Sequence, residues 1–287
     1  MFGLFDAIAD WFRGLLIDGI TFNFTHMFLE ANREINEIAG TVGQTPAGWN
    51  AGIFALIQTL SETVIIPIAG VILTFILCYE LIHMIIERNN MNDFDTFMVF
   101  KWIFKSFCAV LILTNTFNIV MFVFGLAQSV VDGSAGIITG SLDMELALAD
   151  LAEQLEAMGM GELIGLYLQS AMLTFAMNIL SLCVFLIVYG RMIEIYLTIS
   201  VAPIPMSTMV NNQWGNIGNA YLKSLFALAF QGFLIMVCVA IYAALLQNLA
   251  GATNIHMAMW GAAGYTVLLC FTLFKTGSLA KSLFSAH

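Results

Sequence analysis

Charge is scarce in this chain. Only 10% of its 287 residues are Asp, Glu, Lys or Arg, against about 25% in ordinary globular proteins. Hydrophobic residues make up 60%. No soluble fold hides that much apolar surface from water, so lipid must be the solvent for most of it. Basic residues are the rarest charge, with nine Lys and Arg against nineteen Asp and Glu. No basic patch is present, which excludes stable, sequence-specific nucleic-acid binding by this chain alone. The five cysteines are scattered through apolar stretches without a CxxC or metal-ligand spacing, so neither a disulfide framework nor a metal centre is expected. No hydrolase, kinase, P-loop or zinc-protease signature occurs. The expected protein is not an enzyme and carries no cofactor.

Long hydrophobic runs are plentiful. They predict an all-α, polytopic membrane protein with about five transmembrane helices, near residues 60–86, 97–131, 166–200, 222–250 and 255–274. Pro67 falls near the start of the first, where a proline costs least or makes a kink. The second is longer than a ~30 Å hydrocarbon core needs at ~1.5 Å per residue. Asn115, Thr116 and Asn118 interrupt it, which predicts a bend or an extension beyond the membrane.

The termini and loops differ in character. Residues 1–20 place Phe2, Phe5, Ile8, Phe12 and Leu15 at helical spacing, with Asp6, Asp10 and Arg13 opposite. This is the pattern of an amphipathic helix in the membrane interface, with Phe2, Phe5, Trp11 and Phe12 inserted. A helix docked on the bundle or on a neighbouring subunit would read the same way. Residues 21–50 suggest a short polar helix and a loop, broken at Gln44-Thr45-Pro46. Residues 132–165 carry seven acidic residues and no Lys or Arg. They suggest a solvated amphipathic helix or a docking face.

Basic residues choose the side. Arg88, Lys101 and Lys105, then Arg191 and Lys223, then Lys275 and Lys281 fall in alternate connections, as the positive-inside rule requires. The expected layout is an extracytoplasmic N-terminal segment (1–50), two spans (51–131), an extracytoplasmic acidic loop (132–165), and three spans with a cytoplasmic tail (166–287). The N-terminus is outside and the C-terminus cytoplasmic. No cleavable signal peptide is visible.

Two groups of residues stand out chemically. Glu80, His83 and Glu87 share one side of the first span's cytoplasmic end, and could be a polar site or simply reach the interface. The second group is the elbow between the third and fourth spans. Arg191 and Glu194 are three apart and can pair. Pro203 and Pro205 each lack an N–H, which blocks continued helix. Trp214 suits the headgroup level, Gly215 permits a tight turn or close approach, and Lys223 opens the next span. The segment reads either as an ordinary connection or as a cytoplasmic platform for partners.

The stretch YLTISVAPIP, then Trp214 after a polar gap, then GNAYLKSLFALAFQGF, resembles the TrbL / VirB-six family. Those are polytopic inner-membrane components of conjugative type IV secretion systems. The resemblance implies a multi-pass protein of the bacterial inner membrane that acts as a channel or assembly-platform subunit. It also implies a homo-oligomer, working with a secretion ATPase and bitopic scaffold proteins while DNA–protein substrate passes transiently. The alternatives are a small-solute transporter or ion channel, and a membrane-perturbing protein acting through residues 1–20.

Overall fold

The computed structural model describes residues 2–86, 96–135, 152–250 and 254–286, and among these the regular secondary structure is all helical. The helices are α1 (Phe2–Val42), α2 (Pro46–Trp49), α3 (Ala51–Leu60), α4 (Ile66–Ile86), α5 (Thr96–Thr114) and α6 (Thr116–Ala135). There follow α7 (Met160–Ser200), α8 (Pro203–Thr208), α9 (Gly215–Ala250) and α10 (Ile255–Leu283). Two compact units emerge. One comprises residues 1–42, 132–189 and 234–276, the other 43–131, 190–233 and 277–287.

In the first unit α1 is one continuous helix, where the sequence suggested an interfacial helix and a separate polar one. The reason lies in its buried stripe. Leu16, Ile20, Phe24, Met27, Ala31, Ile35 and Ile38 recur every three or four residues, well beyond residue 20, and they hold a long helix against the bundle. The helix runs parallel to α7. Arg13 donates to the carbonyls of Glu156 and Met158, Asn23 Nδ2 donates to Ser170 Oγ at 2.9 Å, and Ser181 Oγ donates to Glu30 at 2.9 Å. Partner numbers rise together along both segments. α1 is therefore docked rather than lying alone on a membrane surface. Trp11 and Phe12 do point outward, 67% and 40% exposed. The side chains of Phe2 and Phe5 lie outside the described residues, as do Glu87 and residues 136–151 of the acidic loop.

The second unit begins with two successive caps. Thr45 Oγ1 accepts from Gly48 N–H at 3.1 Å, with Pro46 in the first turn of α2. Asn50 Oδ1 then accepts from Ile53 N–H at 3.0 Å and starts α3. Each cap satisfies an otherwise orphaned N–H, and proline costs nothing at such a start. Tyr196 locks this corner from α7 by donating to the Pro46 carbonyl at 2.7 Å.

Between α3 and α4 the backbone makes a π turn at Ser61–Ile65, closed by Ile66 N–H to Ser61 C=O. Pro67 follows directly. Its ring crowds the preceding turn and it cannot donate, so a wider turn is the relaxed solution. The chain continues as one apolar path from Ala51 to Ile86.

Among the described residues, six helices are long and apolar enough to cross a membrane: 51–86, 97–114, 116–133, 160–200, 215–249 and 255–283. The sequence suggested five. The difference is the long second run, which divides into α5 and α6 at Asn115. Asn115 N–H still bonds Leu111 C=O at 3.1 Å, and Ile119 N–H bonds Asn115 C=O at 3.0 Å. A helical ladder that carries through a single residue cannot reverse direction, so α5 and α6 form one interrupted path.

Burial separates the helices by role. Half of α9's apolar stretch is buried, whereas little of α5's is. α9 is thus internal, while α5 turns Phe100, Phe104 and Phe107 outward, the arrangement that lipid solvates best. In the second unit α6, α7 and α9 share a core of Val120, Phe124, Ile195, Ile199, Leu225 and Leu228. A second cluster joins Ala69 and Leu73 of α4 to Ala109 and Leu113 of α5, with Ile204 of α8 packed on it.

Candidate partner-contact elbow

The elbow is largely buried, and α7 does stop at Ser200, just before the two prolines, after which the chain restarts as the short helix α8. Pro203 and Pro205 fall in the first turn of α8, where N–H groups have no intrahelical partner, so neither proline removes a bond. Met206 N–H reaches back to Ala202 C=O at 3.2 Å. Pro203, Met206, Ser207 and Thr208 are buried, and α8 packs on α4 and α5.

After α8 the chain turns on Asn211, which is 6% exposed. Its Oδ1 accepts from Gln213 N–H at 2.8 Å and Trp214 N–H at 3.0 Å, while its carbonyl accepts from Gly215 N–H at 2.8 Å. This arrangement caps the N-terminus of α9. Trp214 stacks over α4, with ring centroids 5.3 Å from Tyr79 and 6.1 Å from Phe75. Gly218 N–H donates to Thr208 Oγ1 at 3.1 Å. That contact brings α9 against α8 so closely that a Cβ on Gly218 would lie 2.7 Å from the Pro205 carbonyl oxygen. A Cβ on Gly215 would lie 3.0 Å from the Met209 carbonyl oxygen. Close approach is what both glycines provide.

The structure separates the elbow residues into inner and outer sets. Arg191 is buried, and its Nε has no hydrogen-bond partner. Glu194 is exposed and meets Lys281, with the charged atoms 3.4 Å apart. Outward-facing residues are Asn212, Gln213, Asn216, Asn219 and Lys223. Asn216, Asn219 and Lys223 are three and four apart, so they form a polar stripe on the first turns of α9. Single-residue reasoning missed this stripe, although its helical spacing was readable once the start of α9 was known.

The polar cluster of the first span has unexpected company. Glu80 forms an ion pair with Lys105 of α5, and the Tyr79 and His83 rings lie 6.0 Å apart. A cavity of about 690 Å³ is lined by Glu80, His83, Lys101, Trp102, Lys105 and Asn212, among others. Lys101 and Lys105 are four apart on α5, a spacing that marks one face but does not say which helix it meets. No group of three metal-ligating side chains forms among the described residues. Lys105→Met should destabilise the protein by about 1–3 kcal/mol, because it strands a half-buried carboxylate. The double variant Glu80→Gln with Lys105→Met should recover most of that loss in thermal melts of the detergent-solubilised protein.

Six apolar helices among the described residues and an outward-facing aromatic surface define a multi-pass membrane protein. The family model described as TrbL/VirB6 plasmid conjugal transfer like protein matches residues 31–203. That is more than half of the chain, and the chain belongs to this family, whose members are structural membrane components of secretion systems. The match takes in α2 to α7 and stops at Pro203. Arg191 and Glu194 therefore lie inside it, whereas Pro205, Trp214, Gly215 and Lys223 lie beyond. No curated protein and no solved structure matches the chain.

Proposed function

We propose that this chain is a channel or assembly-platform subunit of a conjugative type IV secretion system, helping DNA–protein substrate across the inner membrane. The family membership carries this reading. The outward apolar surface of α5 and the polar stripe at the start of α9 support it, since a subunit of a machine needs both a lipid- or neighbour-facing wall and a wet contact face. In this reading the protein forms a homo-oligomer without turnover of its own. A secretion ATPase and bitopic scaffold proteins are its partners, and the N-terminus is outside with the C-terminus cytoplasmic. Asn216, Asn219, Lys223 and Glu194 are the contact residues on the cytoplasmic side. Pro203, Pro205, Trp214 and Gly215 hold that face in shape, and the buried Arg191 lies beneath it.

The test is conjugative transfer from donor cells that lack the protein. Deletion should abolish transfer and the wild-type gene should restore it. Trp214→Ala, which removes the ring stack on Tyr79, should insert in the membrane yet complement poorly. Normal transfer from the deletion strain would overturn the proposal.

A further inference from the structure

Glu34 is the most anomalous polar residue outside the elbow. It sits on α1 and is 3% exposed, and neither carboxylate oxygen has a hydrogen-bond partner. Two of its neighbours are bonded to Glu30 instead. Arg33 forms an ion pair with Glu30, and the Ser181 hydroxyl of α7 donates to Glu30 at 2.9 Å. A buried acceptor left unpaired costs free energy that proteins ordinarily avoid.

The carboxylate lines a cavity of about 420 Å³ between α1 and α7, a volume within the range of small-molecule sites. The cavity has two characters. One wall is rich in carboxyl groups, with Glu30, Glu34 and Glu37, of which Glu30 is paired with Arg33. The facing wall, from α7, is mainly apolar, with Leu182, Val184, Phe185 and Val188, and also carries Asn178, Ser181 and Tyr189. An anion would be repelled by this site, and a neutral apolar molecule would leave Glu34 unsatisfied. A bare metal ion would lack ligands, since no ligating trio forms among the described residues.

We infer that the cavity between α1 and α7 is a binding site for an alkyl-ammonium group, whose N–H donors satisfy the unpartnered Glu34 carboxylate while its carbon chain lies on Leu182, Phe185 and Val188. The ammonium supplies several donors to acceptors that have none, and the charge-assisted bonds form away from water, where they are strongest. The same chemistry is carried by an aminophospholipid headgroup and by a free amine. The site is separate from the elbow and stands whether or not the protein serves conjugation.

The experiment uses the full-length protein in lipid nanodiscs, titrated with n-hexylammonium and with n-hexanol. Hexylammonium should bind and hexanol should not bind comparably. Glu34→Gln should weaken the amine by about tenfold, the loss of one charge-assisted contact. Glu37→Gln, at an exposed position, should weaken it by about twofold at most. Equal binding of hexanol and hexylammonium to the wild type, or unchanged amine affinity in Glu34→Gln, would overturn the inference. The hexanol comparison needs no variant, so it decides the matter even if a substitution impairs folding. Discs of phosphatidylethanolamine and of phosphatidylcholine identify the source. Weaker probe binding in phosphatidylethanolamine assigns the resident ligand to the lipid headgroup, and equal binding assigns it to a free amine.

Discussion

Replacing Gly218 with alanine is expected to unseat the elbow, at a cost of about 1–3 kcal/mol, and valine is expected to cost more. The added Cβ would lie 2.7 Å from the Pro205 carbonyl oxygen and 3.1 Å from Met209 Cα, and would also strike Met209 Cγ. Two of these three atoms are backbone, so rotating a side chain cannot relieve the clash. Pushing α9 away would also lengthen the bond from Gly218 N–H to Thr208 Oγ1, buried where water cannot replace it. The measurement is a thermal melt in detergent, with Gly125→Ala in α6 as control. A Cβ at Gly125 meets nothing within 4 Å, so that change should be neutral or slightly stabilising, as helical Gly→Ala normally is. If the two variants melt alike, close packing at the elbow is not what Gly218 provides. Under the proposed function, Gly218→Ala donors should also transfer DNA poorly.

The second large effect is a dependence of stability on pH that traces to Glu34. Burial, above all, pushes its carboxyl up from 4.5 to about 7. The charges of Glu30 and Glu37 add to the rise, while the nearby Ser181 hydroxyl and Arg33 oppose it. Tyr242 of α9 and Cys270 of α10 are further titratable neighbours from the helices packed around it.

The direction follows from proton counting. Between pH 4.5 and about 7 the folded protein keeps the Glu34 proton and the unfolded chain loses it. Stability therefore falls as pH rises through this window and levels off above it. The shift corresponds to about 3 kcal/mol. Glu34→Gln carries no titrating group and should lack this loss, so the two proteins should diverge at pH 8 with the variant the more stable. Melting both from pH 4.5 to 8 in the same detergent isolates the Glu34 contribution, because every other carboxylate is common to both. Parallel profiles would mean that the Glu34 carboxylate is solvated or paired in the folded protein.

Membrane character and helical class were legible because they follow from composition. A chain 60% hydrophobic with 10% charge must place its backbone in lipid, where helices are one of two ways to satisfy every N–H and C=O. Span positions were legible for the same reason, and Asn115 showed in the sequence as the interruption that divides α5 from α6. The family resemblance was readable at YLTISVAPIP, part of which lies inside the family match. Local rules also reached the corner at Thr45 to Asn50, where a break at Thr45-Pro46 is a property of those residues alone.

Other features depended on which helix meets which. The prolines at 203 and 205 were read as helix blockers, and α7 does end before them, but that they also start a new helix, α8, was not read. That second role depends on the packing of α8 on α4 and α5. Glu194 meets Lys281, which is far along the chain and which no local spacing could pair with it. Glu34 looked like one charge in a polar segment. Its burial against α7, and hence its cavity and its unpaired oxygens, arises from a contact about 150 residues away in sequence. Sequence thus determined the solvent, the class and the family, because lipid partition and backbone satisfaction act on each segment separately. Tertiary structure decided which polar groups are satisfied and which wait for a partner, because that depends on neighbours the chain brings from afar.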